Sequence, residues 1–255
     1  DITNFVLFGQ QNTIAVQVNN SASIICPPLS ADFTFYGGIS RDVELLIKEP
    51  VHINPNEYIS NSLTVDGFWV AQPGVIIKQS NVYESTADLN IITKRKNATN
   101  TPVQATVDVV IKDASGTVVK ILSENKNINA NDTASSGITT TMNNPHLWDG
   151  LNDPYLYRVE VSLKVNMQEV DRSVQPLGLR YFSVDPDLGF FLNGKSYPLR
   201  GICLHEERKN KGRAISDADR KEALDMLLET GCNYLRLSHY QHGDFTYHYL
   251  DSMGI

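Results

Sequence analysis

The chain has 255 residues, 41% of them hydrophobic and 20% charged, a composition typical of a globular protein with one large domain or two ordinary ones. The net charge of −7 and the pI near 5.3 argue against a nucleic-acid partner, because binding to phosphates requires a basic face. No apolar run approaches the roughly 20 residues that a helix needs to cross a membrane, so no membrane partner is expected.

Residues 1–49 have the pattern of strands separated by turns. Ile14, Val16 and Val18 alternate with small or polar residues, which fits a half-buried strand. A second strand pattern, ISRDVELLIKEP, ends at Pro50. Because two or three strands cannot cover both of their faces, these residues are predicted to be the last part of a larger β-sandwich.

Residues 50–184 contain about seven short stretches with strand character. Such strands at this spacing predict a complete immunoglobulin-like β-sandwich. The basic run 94–96 is predicted to be a solvated turn. Turn-forming residues separate the strands at 97–102, 113–116, 125–132 and 143–154.

Residues 185–255 show a different order of elements. The mostly apolar run 197–205 predicts a strand buried on both faces. Ser216 can cap a helix that Gly231 ends, and the strand 233–238 and the helix 244–253 follow. Strand, helix, strand, helix is the pattern of parallel βα units.

Several polar residues lie where these two strands end. In βα units the loops after the strands carry the chemistry. His205 and Glu206 end the first strand, Arg236 and His239 lie at the end of the second, and Arg200 lies inside the first. Two histidines at the same edge of adjacent parallel strands can converge on one ligand; the alternative is that each is a structural histidine. Their position at strand ends favours a site.

Three segments, GFFLNGKSYPLRGICLHEER, NYLRLSHYQH and LDSMGI, resemble the start of the catalytic barrel in family 2 glycoside hydrolases, the group of β-galactosidases and β-glucuronidases. ADFTFYGGISRDVELL resembles the end of the sugar-binding jelly roll of that family, and NNPHLWDGLNDPYLYRVEVSL its sandwich. The resemblance implies a mainly β chain: the end of a jelly-roll β-sandwich (1–49), a complete immunoglobulin-like β-sandwich (50–184), and the first two βα units of a (β/α)8 barrel (185–255). We expect a fragment of a longer polypeptide that continues through six more βα units.

The resemblance also implies roles for individual residues. Asp32 matches an aspartate that contacts a sugar hydroxyl and, in some members, a sodium ion; a turn residue is the local alternative. His205 and His239 match histidines that hydrogen-bond sugar hydroxyls. Arg236 matches an arginine beside the catalytic carboxylates, where positive charge lowers a carboxylate pKa. Arg200 is a second basic candidate in a supporting role, near the same layer of the barrel.

Retaining glycoside hydrolysis requires two carboxyl groups about 5–5.5 Å apart. In the family these are glutamates on later barrel strands, which implies that they lie beyond Ile255. Glu206 and Glu207 are neighbours in an extended segment, so their side chains point to opposite sides and cannot both act on one anomeric carbon. Glu206 is expected to orient a neighbouring side chain, and the isolated chain is predicted to be inactive.

The resemblance therefore predicts part of a retaining glycosidase that cleaves terminal β-galactosides, with a carbohydrate as partner. It implies no cofactor within this chain and allows magnesium or sodium in the full-length enzyme. A β-glucuronidase-like member of the family is one alternative, and a non-catalytic carbohydrate-binding or scaffold module is another. Two βα units leave an open sheet edge, so a homo-oligomer is also considered. A periplasmic or secreted location is expected over a cytoplasmic one.

Overall fold

The computed structural model describes residues 2–21, 23, 24, 30, 34–54, 56–58 and 71–255. The helices in this part of the chain are a short 3-10 helix (Gly150–Asn152), α1 (Asp217–Glu229) and α2 (Asp244–Met253). In chain order the strands are β1 (Val51–Ile53), β2 (Asn56–Tyr58), β3 (Ala71–Pro73), β4 (Val75–Ser80), β5 (Thr86–Asn97), β6 (Val103–Lys112), β7 (Val118–Ile128), β8 (Asp132–Asn143), β9 (Tyr157–Val165), β10 (Gln168–Leu177), β11 (Phe182–Asp185), β12 (Gly189–Leu192), β13 (Lys195–Ser196), β14 (Gly201–His205) and β15 (Tyr234–Ser238).

The central part of the chain is a sandwich of two antiparallel sheets. In the first sheet β8 pairs along the whole of β5, and β1 and β4 share the other edge of β5. The second sheet has the order β10-β9-β6-β7. Alternate residues of both sheets face one core, among them Ile91, Val109 and Leu163, none of which is exposed. This alternation follows from the period of two in a strand and gives the two-sheet sandwich expected for 50–184.

The prediction of a solvated turn at 94–96 is wrong. These residues lie inside β5, and the side chain of Arg95 is completely buried. The pairing of β5 with β8 directs Arg95 inward, where it donates hydrogen bonds to Glu124 of β7 and to Ser136 of β8. A buried guanidinium requires such partners, and they come from strands that no local signal connects with the run.

The described part of residues 2–49 contains no strand, which corrects the expectation of strands there. Ile14, Val16 and Val18, which were predicted to face a core, are 68%, 64% and 49% exposed. A strand needs a neighbour to pair its backbone groups, and no sheet of the described residues includes this segment. The jelly-roll assignment for 1–49 stays a prediction.

Residues 182–255 form a small hairpin sheet and then two βα units. Strands β11, β12 and β13 make an antiparallel sheet, and the hairpin between the last two turns at Asn193 and Gly194, which both have positive φ. Strands β14 and β15 pair in parallel, from Gly201 opposite Tyr234 to His205 opposite Ser238. The first of them begins at Gly201, later than the predicted strand 197–205.

Helix α1 follows β14 and begins with a capping box. The Ser216 hydroxyl accepts a hydrogen bond from the Asp219 amide, and the Asp219 carboxylate accepts one from the Ser216 amide. The helix ends before Gly231, whose φ is +76°. These termini confirm the predicted start and end of the helix, and α2 has the bounds predicted for it.

The 3-10 helix region of the sandwich packs against the end of α2. The indole Nε1 of Trp148 donates to the Asp251 carbonyl over 2.8 Å, and Asn193 Nδ2 donates to the Trp148 carbonyl over 3.0 Å. Gly254 lies so close to Gly150 that a Cβ on Gly254 would be 2.3 Å from the Gly150 carbonyl oxygen. We call this contact region the seam.

Candidate functional site

The parallel pairing of β14 and β15 brings the two predicted histidines to the same edge. His205 is the last residue of β14, and His239 follows the last residue of β15, Ser238, which lies opposite His205. The imidazole centroids are 5.4 Å apart, with the ring planes at 84°. The carboxyl ends of parallel strands share one edge, so this placement follows directly from the topology.

Arg236 orients the ring of His239. Its Nη2 donates to His239 Nδ1 over 2.9 Å, and its Nη1 donates to the Ser238 hydroxyl over 3.0 Å. A guanidinium can only donate, so Nδ1 of the neutral imidazole is the acceptor and the ring proton lies on Nε2. The donor of the His239 ring is therefore its Nε2–H group.

Glu206 is buried, with 4% of its side chain exposed, and both of its carboxylate oxygens are hydrogen-bonded. Oε1 accepts from Arg220 Nε over 2.6 Å and from the Gly243 amide over 2.9 Å, and Oε2 accepts from Arg41 Nη2 over 2.9 Å. Burial opposes ionisation of this carboxyl, but the hydrogen bond from Arg220, with those from Gly243 and Arg41, outweighs burial and lowers its pKa. Glu206 is therefore an ionised structural carboxylate.

The loop after β15 contains a second buried titratable group. His242 is 1% exposed and stacks on Tyr240, with ring centroids 5.4 Å apart. Burial lowers the pKa of His242, against the opposing effects of its hydrogen bond with the Ser238 carbonyl and the charge of Glu206. The imidazole is therefore neutral near pH 7 and serves as packing for the loop.

A cavity of about 430 Å³ lies where the segment around Arg41 meets the loops after β14 and β15. Its walls include Arg41, Glu206 and Tyr240, and the guanidinium of Arg213 lies 3.8 Å from the centre of the Tyr240 ring. The cavity thus adjoins both histidine-bearing loops.

Two of the predicted site residues are not brought to this edge by the described structure. Arg200 precedes β14, five residues before His205 and about 16 Å away at the rise of a strand. Its backbone amide is bonded to the Asn233 side chain at the opposite end of the strand pair. Arg200 therefore does not lie in the same layer as the histidines, which corrects that expectation. Asp32 lies outside the described residues.

Three contributing residues were missed by the sequence reasoning: Arg220, Tyr240 and His242. The position of Arg220 in the first turn of the predicted helix was clear from the sequence, but its contact with Glu206 was not. No sequence signal identified a partner for Arg41. Its observed partner is Glu206, which is 165 positions away.

The described residues contain no group of three or more histidine, cysteine, aspartate or glutamate side chains placed to hold a metal ion. Of the helices that the structure describes, none is long and apolar enough to span a membrane.

The β-sandwich and the parallel βα units match two parts of one protein family. Residues 73–180 match the family described as "Glycosyl hydrolases family 2", and residues 186–255 match "Glycosyl hydrolases family 2, TIM barrel domain". The chain belongs to glycoside hydrolase family 2, which is a family of glycosidases.

Similar proteins carry two different names. A "Beta-glucuronidase" of Bacteroides fragilis is 35% identical over the whole chain, which covers 35% of that protein. "Beta-galactosidase BoGH2A" of Bacteroides ovatus is 30% identical over 94% of the chain, which covers 25% of that protein. The crystal structure of a Bacteroides uniformis β-glucuronidase aligns with all of the chain at a TM-score of 0.90 and 35% identity. The chain spans about a third of the length of these relatives or less.

Proposed function

We propose that this chain is the substrate-positioning part of a retaining β-glycosidase. The observation that carries the proposal is the meeting of His205 and His239, 5.4 Å apart between ring centroids, at the carboxyl end of two adjacent parallel strands. In this role the Nε2–H of His239 donates to one sugar hydroxyl and His205 binds another. Such contacts can tighten as the sugar ring flattens toward the transition state.

The reacting carboxyl groups of the proposed enzyme lie outside this chain. Glu206 accepts three hydrogen bonds and is held by two arginines, so it has no free oxygen with which to attack or protonate a glycosidic bond. Glu207, the next residue in the chain, was predicted to point to the opposite side. Since retention requires two carboxyl groups on one anomeric centre, the 255-residue chain is expected to hydrolyse p-nitrophenyl β-glycosides no faster than buffer.

Two terminal sugars are candidates. A β-galactoside is the substrate predicted from the sequence. A β-glucuronide is favoured by the higher identity of the Bacteroides fragilis relative, 35% over the whole chain against 30% over 94% for the Bacteroides ovatus β-galactosidase. The ratio of kcat/KM for p-nitrophenyl β-galactoside and β-glucuronide, measured on the longer polypeptide that contains this chain, decides between them.

Sugar binding by the chain itself tests the positioning role. Methyl β-galactoside and methyl β-glucuronide are titrated into histidine-labelled chain while the imidazole NMR signals are recorded. We expect shifts at His205 and His239 and none at His52 or His146, which lie in β1 and in the sandwich loop before Trp148. Shifts confined to the sandwich histidines, or none with either sugar, would contradict the proposal.

Variants separate this proposal from a non-catalytic carbohydrate-binding module. His205→Ala and His239→Ala should each raise the dissociation constant for the bound sugar at least tenfold. A sugar affinity that survives both substitutions would place the binding site on the sandwich and favour the non-catalytic module.

A further inference from the structure

The chain neighbours of the two histidines are tied to each other by Glu206. The amide of Glu206, which follows His205, donates to the Tyr240 hydroxyl over 3.0 Å, and Tyr240 follows His239. The carboxylate of Glu206 accepts from the Gly243 amide, where α2 begins. One residue at the end of β14 therefore holds both ends of the loop that carries His239.

Arg41 adds a third connection from a distant part of the chain. Its guanidinium donates to Glu206 Oε2 and to the carbonyl of Gln241 in the same loop. On the other side of the carboxylate, Arg220 of α1 donates to Oε1 and is 8% exposed in its side chain. The segment around Arg41 and helix α1 are therefore both hydrogen-bonded to the Glu206 carboxylate, which connects the two histidine-bearing loops.

We propose that Glu206, together with Arg41, is a positioning residue that sets the spacing of the His205 and His239 rings. The segment around Arg41 then controls sugar affinity without touching the sugar. This inference rests on the proposed sugar-binding role of the two histidines. Side chains that orient a ligand must be fixed to a fraction of an ångström, and hydrogen bonds from neighbouring residues supply that constraint.

Removing the charge of Glu206 should loosen this arrangement. Glu206→Gln keeps the shape of the side chain, but it leaves Arg41 and Arg220 facing an amide in place of a carboxylate. One end of that amide carries hydrogen atoms and repels a donor, so at least one of the three hydrogen bonds is lost. Arg41→Met breaks the connection to the distant segment and leaves Arg220 and Gly243 paired with Glu206.

The test measures ring geometry and sugar affinity separately. In the histidine-labelled chain, the nuclear Overhauser effect between the His205 and His239 ring protons reports their spacing. We expect Glu206→Gln and Arg41→Met to reduce it at least twofold, and Arg41→Lys to restore part of it. Two matched controls should leave the nuclear Overhauser effect unchanged. Glu207→Gln makes the same substitution at the neighbouring position, and Lys48→Met removes a cation from the segment around Arg41, where Lys48 pairs with Asp171.

Titration with methyl β-galactoside and methyl β-glucuronide gives the second readout. The dissociation constant should rise at least tenfold in Glu206→Gln and in Arg41→Met. Ring signals and affinity that match the unmodified chain in both variants would overturn the positioning role, as would the same change in the two controls. If Glu206→Gln does not fold, the Arg41→Met variant decides the question. The Arg41 side chain is 45% exposed, and after its removal Glu206 still pairs with Arg220, so no buried charge is left unpaired.

The outcome also distinguishes this inference from the proposed function. A weakened ring contact in the variants, with no sugar response in the unmodified chain, supports positioning and contradicts sugar binding. A sugar response that disappears in the variants while the ring contact persists contradicts positioning and supports the sugar site.

Discussion

Arg41 donates a hydrogen bond to Glu206 across 165 positions of sequence, with Nη2 and Oε2 2.9 Å apart. Arg220 approaches the other oxygen of the same carboxylate. Burial of a charged group costs free energy, and ion pairing with its partners offsets that cost. Loss of one member of this group of three therefore leaves a buried charge that is no longer fully compensated. The strand end that carries His205 therefore depends on α1 and on a segment from the start of the chain.

Removal of the Glu206 carboxylate should destabilise the chain. Among the described residues, Glu206→Ala leaves the buried guanidinium of Arg220 with the exposed Asp217 as its one charged partner. Loss of one partner from a buried ion pair costs about 3–5 kcal/mol. Urea unfolding of Glu206→Ala measures this loss in the free energy of unfolding. The control, Glu207→Ala, should stay within about 0.5 kcal/mol of the unmodified chain. Equal midpoints in the two variants would show that the ion pair carries no stability.

The tautomer of His239 should depend on Arg236. With Arg236 donating to Nδ1, the neutral ring carries its proton on Nε2. The imidazole ¹⁵N shifts at pH 8 should show the Nε2–H form, and Arg236→Met should move them toward a mixture of both tautomers. The substitution Arg208→Met removes a guanidinium whose partners are Asp219 and Glu222, and it serves as the control. A mixed population in the unmodified chain would contradict the assigned hydrogen bond.

Acid should destabilise the chain in two stages. The folded-state pKa of His242 is below the ordinary value of about 6.5, so the stability that its neutral form provides is present above pH 6.5 and is lost as the pH falls below that value. The folded-state pKa of Glu206 is also lowered, so its contribution is present above about pH 4.3 and is lost as the pH falls through the folded value.

Urea midpoints measured between pH 8 and pH 2 test this order, because the second stage lies below about pH 4.3. His242→Gln should flatten the decline that begins below about pH 6.5 and leave the later decline, below about pH 4.3, in place. His248→Gln changes an exposed histidine on α2 and should leave both stages. If the first stage is unchanged in His242→Gln, a group other than His242 causes it.

The features that the sequence predicts correctly are those with local causes. The cap at Ser216, the stop at Gly231 and the bounds of α2 each depend on residues within a few positions. The approach of His205 and His239 also follows from local signals, because two parallel strands in register place their last residues side by side.

The features that it misses depend on partners far away in the chain. Arg95 is buried because β7 and β8 supply Glu124 and Ser136, which no pattern around 94–96 indicates. Strand β10 was missed because its hairpin turns at Asn166 and Met167, both with positive φ, where methionine gives no turn signal. The contact of Arg41 with Glu206 was not predicted, since nothing in the sequence connects these two positions.

The seam between the sandwich and α2 should be sensitive to one methyl group. Gly254 has φ +87°, and a Cβ there would be 2.3 Å from the Gly150 carbonyl oxygen and 2.7 Å from the Leu151 amide nitrogen, which are backbone atoms that cannot rotate away. Gly254→Ala should therefore cost about 1–3 kcal/mol more than the left-handed backbone strain alone.

Gly231→Ala is the matched control, since Gly231 has φ +76° and nothing within 4 Å of its Cβ position. Urea unfolding gives the difference, and the Trp148 indole signal, bonded to the Asp251 carbonyl, reports the local change. Equal losses in the two variants, with an unshifted indole signal, would show that the seam is open in solution.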